Sequence, residues 1–273
     1  MPQTTPDQEA RLEAEVYPLE RAALEHRQND ETEQCLRLQR EALTRREAIV
    51  GPVDESLAEG IFWLANDLRD EGQYQESEAL FLRALSIYEE LHGPNSLEVA
   101  GELFQIGNLY DDWERYELAL PVYRRALAIE ETLCGKVSPE AAATCTWLGD
   151  AHVELSQYAQ AEPYFQRATL ICRTRQALDG TGVLTLTEER LAGTLFRLKH
   201  YAEATVAYQN VLALNDDQFW EKQSRRRFKT SQARCAHNTG QGQAAGKTRA
   251  VSTTIVRPAK QGEREKRGEG RCS

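Results

Sequence analysis

Asn66, Asn108 and Asp150 follow one another at intervals of 42 residues. An amide side chain both donates and accepts hydrogen bonds, which suits a peptide backbone. Carboxylates attract the Lys and Arg side chains of a partner. Arg69 with Asp70, Asp111 with Asp112, and Val153 with Glu154 stand one helical turn after the ladder, and Phe62, Phe104 and Thr146 stand one turn before it. Amides, carboxylates and aromatic platforms hold and release a partner without making covalent bonds. Groups for covalent chemistry are sparse by comparison. No G-x-S-x-G, H-E-x-x-H or paired-carboxylate constellation occurs in a suitable setting. His26, His92, His152, His200 and His237 lie in unrelated contexts, and His152 falls on an apolar stripe, where a packed residue is expected.

Six cysteines stand at 35, 134, 145, 172, 235 and 272, with no C-x-x-C and no histidine at metal-ligand spacing. Cys35, Cys145 and Cys172 fall within helical patterns and read as small core residues in a reducing compartment. The run from Gly240 to Thr248 is similar to a phosphate-binding loop. Gln241 stands where that loop needs glycine, and no strand pattern precedes it. No metal, cofactor, small-molecule substrate or enzymatic activity is therefore expected.

The composition is that of a soluble globular chain, with 41% apolar and 28% charged residues over 273 positions. No apolar run reaches the ~18 residues of a membrane span, and the polar, acidic N-terminus is unlike a secretory signal. A cytoplasmic location is the expectation. The net charge of -10 hides a division. Residues 1–218 hold 19 Lys and Arg against 39 Asp and Glu, whereas residues 219–273 hold 14 against 4.

A helical scaffold must position the ladder, because its 42-residue step pervades the acidic part. Tyr74, Tyr116 and Tyr158 keep the step, as do Ala42, Ala84, Ala126 and Ala168, and Gly51, Gly93 and Gly135. Tyr201 follows after 43. Each block reads as two helices. The first carries a stripe such as Ile61, Leu64, Ala65, Leu68, repeated as Leu103, Ile106, Gly107, Tyr110 and as Cys145, Leu148, Gly149, His152. Spacings of three and four place these on one helical face. The second carries small-x-x-x-aromatic-x-x-small: Ser77, Phe81, Ala84; Ala119, Tyr123, Ala126; Ala161, Phe165, Ala168; and a weaker Ala204, Tyr208, Val211. Gly93-Pro94 and its counterpart Gly51-Pro52 end helices between blocks.

These blocks resemble the tetratricopeptide repeat family. The signature Trp-x2-Leu-Gly-x2-Tyr then Ala-x3-Phe is matched closely around Gly107 and Ala119. The longer step resembles the variant of kinesin light chains. The resemblance implies an all-α solenoid, a right-handed superhelix of stacked antiparallel helix pairs over residues 8–218. Repeats are expected at about 10–52, 53–94, 95–136, 137–180 and 181–218. The first is degraded, with Ala22, Ala23 and His26 in large-residue territory, and the last carries Glu188 where an apolar residue is expected. Both suit end caps.

The resemblance also implies that first helices line a concave face that binds extended peptides. On that face the candidates are Phe62, Asn66, Arg69, Asp70, Phe104, Asn108, Asp111, Asp112, Asp150 and Glu154. A bland alternative is a solvated helix face with aromatics in the core. Kinesin light chain repeats place Asn pairs before the Leu-small step, whereas Phe62-Trp63 and Phe104-Gln105 stand there in this chain, so cargo specificity does not transfer. The expected function is a non-catalytic scaffold for a protein or peptide, with basic partners favoured.

Residues 219–273 read as a low-complexity tail too poor in apolar residues to order itself. Arg225, Arg226, Arg227 and Lys229 form its basic cluster. Such a cluster suits nucleic acid or an anionic membrane surface, or docking back on the acidic repeats, where it would inhibit peptide binding.

Overall fold

A computed structural model of the chain describes residues 5–29, 31–179, 183–214 and 234. Among them run eleven helices and no strand: α1 (Pro6–Glu15), α2 (Tyr17–Gln28), α3 (Thr32–Val50), α4 (Glu55–Asp70), α5 (Tyr74–His92), α6 (Leu97–Asp112), α7 (Tyr116–Leu133), α8 (Pro139–Glu154), α9 (Tyr158–Asp179), α10 (Val183–Arg197) and α11 (Tyr201–Leu214). The basic cluster at 225–229, the Gly240–Thr248 run, Cys235 and Cys272 lie outside the described residues. Helices α2 to α11 form five successive pairs, each packed on the next. Helix α1 lies before them against α3, where Gln8 donates to the Ile49 carbonyl at 3.0 Å.

Boundaries recur with the sequence period because the same local chemistry recurs. Asp54, Ser96 and Ser138 stand 42 residues apart. Each caps a first helix by accepting backbone N–H groups of its opening turn. Gly51, Gly93 and Gly135 terminate or follow the preceding second helices at φ of 93°, 83° and 89°, a region that disfavours side chains. The turn inside each of the last four pairs also takes positive φ. Gly72 supplies it at 71°, but Glu114, Ser156 and Lys199 adopt it at 57°, 59° and 65°. Left-handed backbone costs an L-residue roughly 1 kcal/mol. Glu114→Gly is therefore expected to raise stability by about 0.5–1 kcal/mol, read as a higher urea midpoint. An unchanged or lower midpoint would count against this account of the turn.

The core is a ring set between two small residues, repeated along the stack. Phe81, Tyr123 and Phe165 have no exposed surface, and neither have Ala84, Ala126 and Ala168. Gly107 and Gly149 let these rings approach. A Cβ at Gly107 would lie 2.3 Å from the Tyr123 ring, and one at Gly149 would lie 2.6 Å from Phe165. Burying each ring contributes about 1.5–3 kcal/mol. Ser77 takes the small position before Phe81, and its hydroxyl donates to the Ala65 carbonyl at 2.7 Å. Cys35, Cys145 and Cys172 are buried.

Successive second helices are tied by a charge ladder with the same period. Glu47 pairs with Arg83, Glu89 with Arg125, and Glu131 with Arg167. Arg125 and Arg167 also donate to the turn carbonyls of Pro94 and Lys136, each at 3.1 Å. Partly exposed pairs contribute only about 0.2–1 kcal/mol each, so the ladder sets register more than stability. Glu188 near the end of the stack is 1% exposed, which needs compensation. Arg173 donates to it through Nε at 2.7 Å, and Asn210 lies 3.4 Å from its other oxygen.

Candidate functional site

The first helices α4, α6 and α8 carry Asn66, Asn108 and Asp150 at the same register position. Equivalent positions of identically folded pairs must face the same way. Phe62 and Phe104 are half-buried against the core. Phe62 meets Phe81 edge-on at 6.1 Å, and Phe104 lies 5.8 Å from Tyr123. Asn66 spends its amide on the Phe62 carbonyl at 2.9 Å. Asn108 accepts from the Tyr123 hydroxyl at 2.8 Å. The amides are thus anchored from below, Asn108 by the ring that fills its own repeat.

The charged residues interact across helices. Arg69 on α4 reaches Asp112 on α6 at 3.1 Å and also touches Asp70 at 3.5 Å. Asp150 on α8 pairs with Arg190 on α10 at 3.1 Å. Burial, followed by the charges of Asp112, Asp150 and Glu154, pushes the Asp111 carboxyl up to about 6, against the pull of Arg190. Asp150 is also pushed up to about 6, chiefly by burial, with Arg190 opposing and Glu154 adding. Its ion pair does not prevent this, because Arg190 is half exposed and screened by water whereas Asp150 is not. Asp111 Oδ1 is enclosed without a hydrogen-bond partner. Asp70, Asp112 and Glu154 remain exposed. The surface therefore carries excess, imperfectly compensated negative charge.

Arg190 is the participant that sequence reasoning missed. It lies 43 residues after Trp147, so the repeat register could have found it.

His152 is packed, as its stripe position suggests: it is 3% exposed, stacked on Tyr164 at 5.6 Å, and bonded to Gln157 at 2.7 Å. Burial lowers its pKa. Burial pushes the Cys145 thiol up to about 11, which leaves it unreactive. Glu162, His200 and Glu203 gather ligand atoms within 4.8 Å of one another between α9 and α11, a proximity that their sequence spacing does not suggest.

Models of the tetratricopeptide repeat match residues 56–132 and 142–175. The chain carries tetratricopeptide repeats. The matches fall on the regular middle pairs and leave out the degraded first and the atypical last, where the ring-and-gap pattern weakens. Solved structures agree on the architecture of this repeat protein. BtubC (BKLC) from P. vanneervenii is 20% identical, covering 86% of this chain and 98% of that one, with a TM-score of 0.61. The nearly identical TPR-like repeats of a Podosopora anserina protein assigned as a kinesin light chain are 16% identical over 75% and 94% of the two chains, with a TM-score of 0.63. MamA from Desulfovibrio magneticus RS-1 is 16% identical over 80% and 100%, with a TM-score of 0.56. At these identities the likeness concerns fold. No curated protein matches the sequence. No helix among the described residues is long and apolar enough to cross a membrane.

Proposed function

We propose that this repeat protein is a non-catalytic scaffold that holds an extended, basic peptide segment of a partner across its first helices. The observation that carries the reading is the convergence of Asn108, Asp111, Asp112, Asp150 and Glu154 from two successive first helices, with Asp111 and Asp150 held at raised pKa chiefly by burial and further by the neighbouring carboxylates. Negative charge that the chain does not itself neutralise is stabilised by a bound cation. A reducing, cytoplasmic setting fits the buried thiols.

Binding of a fluorescein-labelled Lys/Arg-rich peptide to the full chain tests this. Asp111→Asn with Asp150→Asn is expected to weaken it about tenfold, and Asn66→Ala with Asn108→Ala by a similar factor. Because both carboxyls ionise around pH 6, affinity should rise as pH goes from 5 to 7 and flatten above. Unchanged affinity in both double variants would refute the site.

The opposed charge of residues 219–273 favours a second reading. The cluster Arg225, Arg226, Arg227 and Lys229 would compete with the peptide for the same carboxylates, so deleting 219–273 would tighten peptide binding at low salt. Salt-sensitive retention of the full chain on DNA or anionic vesicles, lost on that deletion, would instead assign the tail to those surfaces.

A further inference from the structure

A cavity of about 380 Å³ opens between α2, α3 and α4. Its position follows from the repeat. Gln39 on its floor occupies the register position of Phe81, Tyr123 and Phe165, at steps of 42 residues. The small residues that flank those rings are retained: Ala23 and Ala42 line the cavity, each 2% exposed. Its rim is Trp63 on α4, the counterpart of Trp147 on α8. Trp147 stacks over Tyr123 with centroids 6.4 Å apart and planes at 25°. Trp63 meets Phe62 edge-on and remains 57% exposed. The first pair thus has the ring's housing and its stacking platform, with an amide where the other pairs have the ring.

Two polar atoms point the same way. Gln39 Nε2 is spent on Asp67 at 2.7 Å, while its Oε1 is buried without a partner. Arg46 is 6% exposed and gives Nη2 to Glu20 at 2.6 Å, while its Nε is buried without a partner. An unmet buried donor or acceptor costs about 1–3 kcal/mol, so each favours a ligand that satisfies it. Gly60 keeps the space open: a Cβ there would come within 3.2 Å of Leu43 and 3.7 Å of Arg46 Nε.

We infer that this cavity is a socket for a tyrosine or tryptophan side chain of the bound peptide, stacked on Trp63 in the way that Tyr123 stacks beneath Trp147. The ring's O–H or N–H donates to Gln39 Oε1, and a peptide carbonyl accepts from Arg46 Nε. The socket deepens the peptide-binding reading above and rests on it, and it adds an aromatic anchor to a basic sequence.

The side-chain analogues p-cresol and 3-methylindole, with toluene as the ring lacking a donor, test the socket on the full chain. The readout is the indole N–H resonance of Trp63, assigned by its loss in Trp63→Phe. Both donors are expected to shift it, and toluene to do so several-fold more weakly. Gln39→Phe fills the socket with an internal ring, so it should weaken p-cresol binding more than about tenfold while raising Tm. Folding loss cannot mimic that pair of results. Asn66→Ala with Asn108→Ala should leave the p-cresol shift intact, so loss of basic-peptide binding and loss of the socket are separate outcomes. No shift in the wild type, equal binding of toluene, or undiminished binding to Gln39→Phe overturns the proposal. A Trp63 resonance that moves on dilution or on deleting 219–273, and not on adding p-cresol, assigns the socket to a second copy or to the tail and overturns it too.

Discussion

Tyr123→Ala is expected to cost about 3–5 kcal/mol of stability. The ring is fully buried at the centre of the stack, within 5.8 Å of Phe104 and 6.4 Å of Trp147. It fills the space opposite Gly107, which has no side chain to move into the gap. Collapse is also resisted from the far side, because Trp147 belongs to the next pair. A cavity here therefore loosens two interfaces together, and in a one-dimensional stack each pair depends on its neighbours. Tyr123→Phe separates ring from hydroxyl. It keeps the packing and loses the bond to Asn108, 2.8 Å long, so about 0.5–1.5 kcal/mol is expected. Urea unfolding of the three proteins decides the matter. A loss below about 1 kcal/mol for the alanine variant would mean that the stack does not depend on its central rings.

Glu102 should make the protein less stable as pH rises. It is 3% exposed on α6, and its Oε1 has no hydrogen-bond partner. Burial alone pushes its carboxyl from 4.5 up to about 8. The direction follows from linkage. Below 4.5 the group is protonated in both folded and unfolded chains and costs nothing as a charge. Between 4.5 and 8 the unfolded chain ionises while the folded chain holds its proton, so stability falls as pH rises and the loss is complete above 8. A loss of about 1–4 kcal/mol is expected, given the scale of buried charge. Asp111 and Asp150 act the same way but finish near pH 6. Urea midpoints at pH 6.5 and 8.5 therefore follow Glu102 past most of their titration, and its own substitution separates it from Glu130, which burial also raises. Glu102→Gln should flatten that decline. A wild-type midpoint that rises over this interval, or an equal decline in the variant, would contradict the assignment. Neighbouring seams resolve the same position differently. Gly60 stands there in the first, and in the next Thr144 donates to Glu130 at 3.0 Å.

The ladder residues were legible before any coordinates because of register alone. Asn66, Asn108 and Asp150 had to share a surface once their blocks folded alike. What each does there was not legible. Asn66 turns back onto its own helix, and Asn108 receives a hydroxyl from a residue of the following helix. The Phe62 and Phe104 spacing was equally consistent with platform and core, and the structure half-buries both.

The sequence by itself determined the all-α architecture, the helix pairs, the ring-between-gaps core and the degraded ends. Such a stack makes most of its contacts within a pair or with the next, so the information lies within short stretches of chain and repeats in register. The tertiary structure alone decided which polar groups meet across a seam. Arg69 finds Asp112, Asp150 finds Arg190, Glu188 finds Arg173, and Glu102 finds no hydrogen-bond partner for one oxygen. It also decided that Gln39 in a ring position leaves a cavity beneath Trp63 and not a collapsed seam. These outcomes depend on how far each pair rotates and shifts on the last. That rotation is the sum of many small packing contacts, and a pattern of apolar residues does not specify it.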